Sequence, residues 1–311
     1  MKAASEPNFF IVGTGKAGTT SLYHYLRQHP QVYMSPIKEP CFFASEIRPD
    51  TLSAAHRRYI RLESGKSTTR PPGWLFTNWE EYLQLFRDVR TETAIGEASV
   101  AYLWSETAAA NIAGRLPHAK IIMILRDPAE RAFSQYLHQV AVGLVYASFR
   151  EHLERCLRNR ERTISAQYPL LEVGLYHDQV KRYLDRFPRE NIHIYWYEQD
   201  WRQPERLLEG IFQFLGVDPA FRPDTSRKKL ERRAPRFRFA YSLAMRLDLT
   251  HKIGWIVPRP LRVALQKLLF ERGASLTMSS DDRQFLIDYY REDILRLGTL
   301  LDRDLSSWLE V

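Results

Sequence analysis

The chain has 311 residues, 44% of them hydrophobic and 26% charged, a balance that excludes wholesale disorder, a fibrous repeat or a stapled miniprotein and suits one large folded unit with or without an appendage. Only Cys41 and Cys156 are present, which excludes a disulfide framework and reads as two free thiols in a reducing compartment. The formal net charge of +8 is concentrated between Arg227 and Arg272, where 13 Lys/Arg face Glu231, Asp248 and Glu271. A localised basic surface of this kind points to an acidic ligand, to an anionic membrane face, to nucleic acid or simply to a solvated pair of helices.

From the N-terminus, Phe9 to Gly13 is a short apolar run ending in Gly-Thr-Gly, and Leu22, Tyr25 and Leu26 follow at helical spacing, giving strand, loop and helix. A Pro/Gly/Ser-rich loop is expected at Ser64 to Gly73 and a helix at Trp79 to Arg87. Strands are predicted at Ala94 to Ala98, Lys120 to Leu125 and Ile192 to Tyr197, each followed by helical periodicity, at Glu106 to Arg115, Ala129 to Val140 and Pro204 to Leu215. Further helices are expected at Ser148 to Arg160 and Glu172 to Phe187. Strands alternating with helices mean a parallel sheet covered on both faces. After Gly216 the strand pattern stops, and the basic stretch and a helix at Asp281 to Leu301 predict an all-helical appendage. The expected division is an α/β core over 1–225 and a basic helical region over 226–311 packed on it. Phe9 to Val12 ends at a glycine loop, and the nearly uncharged stretch Val140 to Phe149 is about half as long as a membrane-spanning helix. A cytoplasmic chain is expected.

The loop Gly13-Thr14-Gly15-Lys16-Ala17-Gly18-Thr19-Thr20-Ser21 is the chemical centre of the sequence. Such a loop aims successive backbone N–H groups, together with the hydroxyls of Thr19, Thr20 and Ser21, at a phosphate lying on a helix N-terminus. A nucleoside-triphosphate loop needs lysine directly before the magnesium-binding hydroxyl, whereas Lys16 stands three residues before Thr19. No metal site is therefore expected.

Lys16-Ala17-Gly18-Thr19-Thr20 resembles the 5′-phosphate loop of sulfotransferases that use 3′-phosphoadenosine 5′-phosphosulfate (PAPS). Ile121 to Leu125 running into Arg126-Asp127-Pro128, with Ser134 eight residues after the arginine, is similar to the second element of that family. The resemblance implies a three-layer α/β/α sandwich of P-loop-NTPase-like type and PAPS as donor, with the desulfated product PAP left behind. It also implies that Arg126 and Ser134 grip the 3′-phosphate. Lys38-Glu39-Pro40-Cys41-Phe42-Phe43 and Gly96 to Tyr102 resemble the bacterial and heparan-sulfate-type branch, which implies Glu39 as base. Gly174-Leu175-Tyr176 heads a helix whose tyrosine, by the same resemblance, lies near the adenine. Tyr290 to Ile294 and Asp304 to Trp308 look like the tail of bacterial members. Cys41 replaces a histidine, Ala98 replaces a lysine and an Arg-Lys-Gly loop is absent, so acceptor identity stays open.

Sulfuryl transfer needs in-line positioning and stabilisation of the leaving and equatorial oxygens, on a group less charged than a phosphoryl. Lys16 is the natural partner of the leaving oxygen, and Arg126 suits paired charge-assisted bonds to a phosphate. Glu39, before Pro40 and an aromatic pair, is expected to be a desolvated carboxyl able to take a hydroxyl proton. His24 and His29 read as structural, and His118, His138 and His177 as bordering the cleft without an assigned role. Cys41 reads as a buried filler. The expected acceptor is a hydroxyl on a carbohydrate, glycolipid or secondary metabolite; no nucleic acid is expected, and 227–272 is expected to allow peripheral contact with the inner membrane face. The rival readings are a non-catalytic polyanion or membrane-surface binder and, less favoured by the lysine offset, a nucleotide-dependent kinase.

Overall fold

The computed structural model describes residues 5–47, 76–141, 144–145, 147–158, 169–226, 233–235, 270–272 and 277–311. Five strands form the central sheet: β1 (Phe9–Ile11), β2 (Val32–Met34), β3 (Ala94–Ala98), β4 (Lys120–Leu125) and β5 (Ile192–Trp196). All pairings are parallel and the order is β2-β3-β1-β4-β5. The described helices, in chain order, are α1 (Thr19–Leu26), α2 (Trp79–Leu83), α3 (Ala101–Trp104), α4 (Ala108–Arg115), α5 (Pro128–Ala141), α6 (Phe149–Arg158), α7 (Tyr176–Leu184), α8 (Tyr197–Asp200), α9 (Pro204–Leu215) and α10 (Ser280–Leu301).

Alternation along the strands builds the three layers. Phe9 and Ile11 of β1, with Ile122 and Ile124 of β4, face α1 and α9 in one cluster that includes Leu22, Leu26, Leu208 and Phe212. Phe10, Ile121, Met123 and Leu125 face the other way, into a larger cluster with α5, α7 and α10 through Phe133, Tyr183, Tyr290 and Leu297. Every side chain from Ile121 to Leu125 is fully buried. A strand covered on both faces reads as a continuous apolar run, which is why β4 was plain in the sequence.

β1 lies between β3 and β4, so the chain leaves it at the point where strand order reverses, and the carboxyl ends of the strands surround that point. Ligands of open α/β sheets bind in this crevice. Gly13 makes the exit possible, since a Cβ there would lie 2.3 Å from the backbone nitrogen of Ile124.

The three-layer parallel α/β architecture and the C-terminal helix agree with expectation. Two strand readings need correction. β2 was missed because three residues are too few to show periodicity. The appendage is not all helical: β6 (Arg233–Pro235) and β7 (Phe270–Arg272) form an antiparallel pair, again three residues each. The expected loop at Ser64 to Gly73 and the remainder of the basic segment lie outside the described residues. Among the described residues no helix is long and apolar enough to cross a membrane.

Candidate functional site

The glycine loop turns through two left-handed residues, Lys16 at φ 69° and Gly18 at φ 83°. Gly18 is required twice over: its φ disfavours a side chain, and a Cβ would meet the Trp201 indole at 2.6 Å. Trp201 Nε1 donates to the Ala17 carbonyl at 3.1 Å and so clips the loop from the α8–α9 side. α1 starts after Gly18 with no capping side chain and no acidic residue in its first turn. Its N-terminal N–H groups and positive dipole end therefore suit an anion. Thr19 is buried, Thr20 and Ser21 are half-buried, and Lys16 lies half-exposed at the rim.

Arg126, directly after β4, is brought to this loop. Its Nη1 donates to the Lys16 carbonyl at 2.8 Å, and its guanidinium lies over the Tyr197 ring at 4.5 Å. Glu130 and Glu198 flank it at 3.5 and 3.9 Å. Burial pushes the Glu198 carboxyl up from its ordinary range. Asp127 does not pair with Arg126; its Oδ1 accepts the N–H groups of Ala129 and Glu130 at the start of α5, and its Oδ2 pairs with Arg283 of α10 at 2.9 Å. Ser134 is buried on α5, and His138 follows one turn later on the same face. Burial and the neighbouring Lys16 charge push the His138 imidazole down to about 4, so it is neutral at pH 7. His138, unassigned in the sequence, thus comes to the lysine.

Tyr176 is wholly buried. Its hydroxyl donates to the Arg126 carbonyl at 2.9 Å and its N–H to Asp293 of α10 at 2.6 Å. Its ring offers no exposed face for a base; it supports the turn that carries Arg126.

Glu39 follows β2 across the sheet edge, its N–H held by the Ala98 carbonyl at 2.8 Å. Glu39 at φ 63° and Cys41 at φ 53° are both left-handed, a conformation that costs roughly 1–2 kcal/mol for each non-glycine residue. The Glu39 carboxylate pairs with Lys38, and its side chain is 25% exposed. Phe42 and Phe43 turn onto Trp79, Tyr82 and Tyr102. A second carboxyl, Glu97 at the end of β3, is fully buried and pushed up to about 7 by burial. It accepts from Tyr82 and Tyr102 at Oε1 and from Ser99 at Oε2, each at 2.8 Å. Sequence reasoning gave Glu97 no role. The available signal was an acidic residue inside an otherwise apolar strand. Cys41 is buried, and desolvation raises its thiol well above the ordinary value, in keeping with a filler.

A parallel α/β sheet carries an anion-ready glycine loop at its switch point, with a buried arginine closing on that loop and two carboxyls at the neighbouring strand ends. Residues 7–222 match the profile described as the Sulfotransferase family, and the chain belongs to that family. It is similar to a sulfotransferase from Alicyclobacillus acidocaldarius of known crystal structure, with 32% identity, a TM-score of 0.73 and coverage of 98% of this chain and 100% of that one. It also resembles human bifunctional heparan sulfate N-deacetylase/N-sulfotransferase 3, at 29% identity over 97% of this chain and 31% of that protein. Mouse carbohydrate sulfotransferase 15 is 28% identical over 68% of this chain and 44% of its own length. The chain therefore spans less than half the length of these two animal proteins.

Proposed function

We propose that the chain moves a sulfuryl group from PAPS to a hydroxyl of a carbohydrate, with Lys16 at the leaving oxygen and Glu39 as base. The observation that carries the reading is the anion-ready loop at the switch point, closed by the bond from Arg126 to the Lys16 carbonyl. PAPS would supply an activated S–O bond. Backbone N–H groups of residues 17–21 and the hydroxyls of Thr19, Thr20 and Ser21 would hold its 5′-phosphate. Arg126 and Ser134 would take the 3′-phosphate, the arginine sharing its charge between that group, Glu130 and Glu198. Tyr176 fixes the backbone behind Arg126.

In the reaction, an acceptor oxygen bonds to sulfur as the bridging S–O bond breaks, its electron pair passing to the PAP phosphate oxygen. Lys16 stabilises that oxygen as it gains charge, and neutral His138 beside it adds no competing cation. Glu39 accepts the proton the acceptor gives up. The carbohydrate class is supported by the names of the animal relatives. The basic 227–272 segment is proposed to recruit an acidic glycan, within a C-terminal region (226–311) whose helix α10 packs on a core of 1–225.

The test is calorimetric titration with PAP and with ATP, followed by sulfate transfer from PAPS to desulfated heparin in excess chelator. Tight PAP binding, weak ATP binding and chelator-resistant transfer are expected. Preference for ATP, or activity restored only by Mg²⁺, overturns the reading in favour of a kinase.

A further inference from the structure

Glu97 touches no open surface, yet its partners are arranged with a direction. Above about pH 7 the Glu97 carboxyl is ionised and only accepts hydrogen bonds, so the Ser99 and Tyr102 hydroxyls both spend their protons on it. Their oxygens are thereby left with lone pairs facing away, and each is used on the neighbouring loop. Ser99 Oγ accepts the Cys41 N–H at 3.3 Å, and Tyr102 Oη accepts the Phe43 N–H at 3.3 Å. With the bond from the Glu39 N–H to the Ala98 carbonyl, these contacts hold 39–43 along the end of β3. That is the segment in which Glu39 and Cys41 adopt left-handed backbone on either side of Pro40. The Tyr82 hydroxyl also donates to Glu97, and no described bond links it to a loop N–H.

We propose that Glu97 is a positioning residue for Glu39: its carboxylate sets the proton direction of Ser99 and Tyr102, whose oxygens then lock the 39–43 loop in the backbone that presents the Glu39 carboxyl. The proposal rests on the reading of Glu39 as base. An amide at position 97 carries an NH₂ that must face at least one of these hydroxyls. The hydroxyl it faces becomes an acceptor there and loses the carboxylate that fixed its proton away from the loop, so Glu97→Gln unlocks the relay while keeping its shape.

The experiment compares Glu97→Gln, Ser99→Ala, Tyr102→Phe and Tyr82→Phe by amide hydrogen exchange and by PAPS-dependent sulfation of desulfated heparin. Glu97→Gln should speed exchange at Cys41 and Phe43, Ser99→Ala at Cys41 and Tyr102→Phe at Phe43, each about tenfold, with amides of β1 and β4 unchanged. In Glu97→Gln, kcat should fall about tenfold with the KM for PAPS held within about twofold. Added to Glu39→Gln, it should cost nothing further. Tyr82→Phe, which removes a bond to the carboxylate but none to the loop, should leave all of these readings near wild type. Unchanged exchange at both loop amides overturns the relay, as does a Tyr82→Phe effect equal to that of Glu97→Gln. Faster exchange with unchanged kcat overturns its part in catalysis. Full activity in Glu39→Gln sinks the base reading instead and leaves the exchange results to judge the relay. Should Glu97→Gln fail to fold, Ser99→Ala and Tyr102→Phe decide by the same criteria, each having lost a single loop contact.

Discussion

The two sides of the crevice are built by different means. On the β1–β4 side, the loop from Gly13 to Ser21 offers backbone N–H groups, and its shape depends on glycines that nothing else can replace. On the β2–β3 side, a strained loop holding Glu39 is bonded to the buried hydroxyls of Ser99 and Tyr102, which in turn donate to Glu97. The first construction binds charge with main chain and tolerates many side chains around it. The second relies on buried side-chain hydrogen bonds, so the loss of Ser99 or Tyr102 removes a contact to the loop directly.

The difference can be broken from either side. The largest effect is expected from Lys16→Ala, which should lower kcat by about a thousandfold, because the lysine acts where charge develops, while PAP still binds measurably. Single-turnover rates and PAP titration together check this, and near-normal turnover would remove Lys16 from the chemistry. Glu39→Gln should cost about a hundredfold in kcat with PAP affinity unchanged, confining the loss to the β2–β3 side.

Glu97 gives a pH signature. Its folded value of about 7 lies above its ordinary value of 4.5, so its contribution to stability is fully present below about 4.5 and is lost as pH rises through 7. Against Glu97→Gln, which cannot ionise, the wild type should lose up to about 3 kcal/mol between pH 4.5 and 8, read as urea midpoints. A constant gap between the two proteins would mean that the carboxyl keeps one charge state throughout.

A smaller effect is expected on the β1–β4 side from Arg126→Ala, which should weaken PAP by about tenfold while kcat falls less, since the 3′-phosphate is remote from the reacting sulfur. Equal losses in both would show that its bond to the Lys16 carbonyl, rather than a phosphate contact, is what matters. Smallest is the salt response: moderate salt should raise the KM for desulfated heparin about threefold and that for PAPS less, because exposed cations are screened more than buried ones. A variant with Arg232, Arg233, Arg236 and Arg238 changed to Gln should lose that sensitivity.

How much could be read from sequence follows the same division. β4 was legible because five consecutive apolar residues have one explanation, and the phosphate loop because glycine is the one residue that fits at Gly13 and Gly18. Lys16 and Arg126 were found with their motifs, and the structure brings them to one turn. Glu97 was passed over because its meaning depends on Tyr82, fifteen positions upstream and on another element. The packing around Glu39 was hidden for a related reason: the neighbouring aromatics were known, but not that they turn onto α2 and α3 while the carboxylate pairs with Lys38. β2, β6 and β7 were too short for any periodic signal.

The seam between α10 and the sheet has a consequence for the order in which the molecule can be completed. Arg283 ties α10 to Asp127 at the start of α5, Asp293 takes the N–H groups of Tyr176 and His177, and Tyr290 reaches the Leu171 carbonyl. Ribosomes deliver residues 280–311 after every element they cover. Among the described residues, the face carrying α1 and α9 is complete by residue 221, whereas the face carrying α5 and α7 waits with Tyr176, Tyr183 and Leu171 uncovered until α10 emerges. A nascent chain therefore has its phosphate loop and Arg126 before α10 arrives to hold Asp127 and the Tyr176 N–H, and in that interval the uncovered apolar surface calls for protection from aggregation.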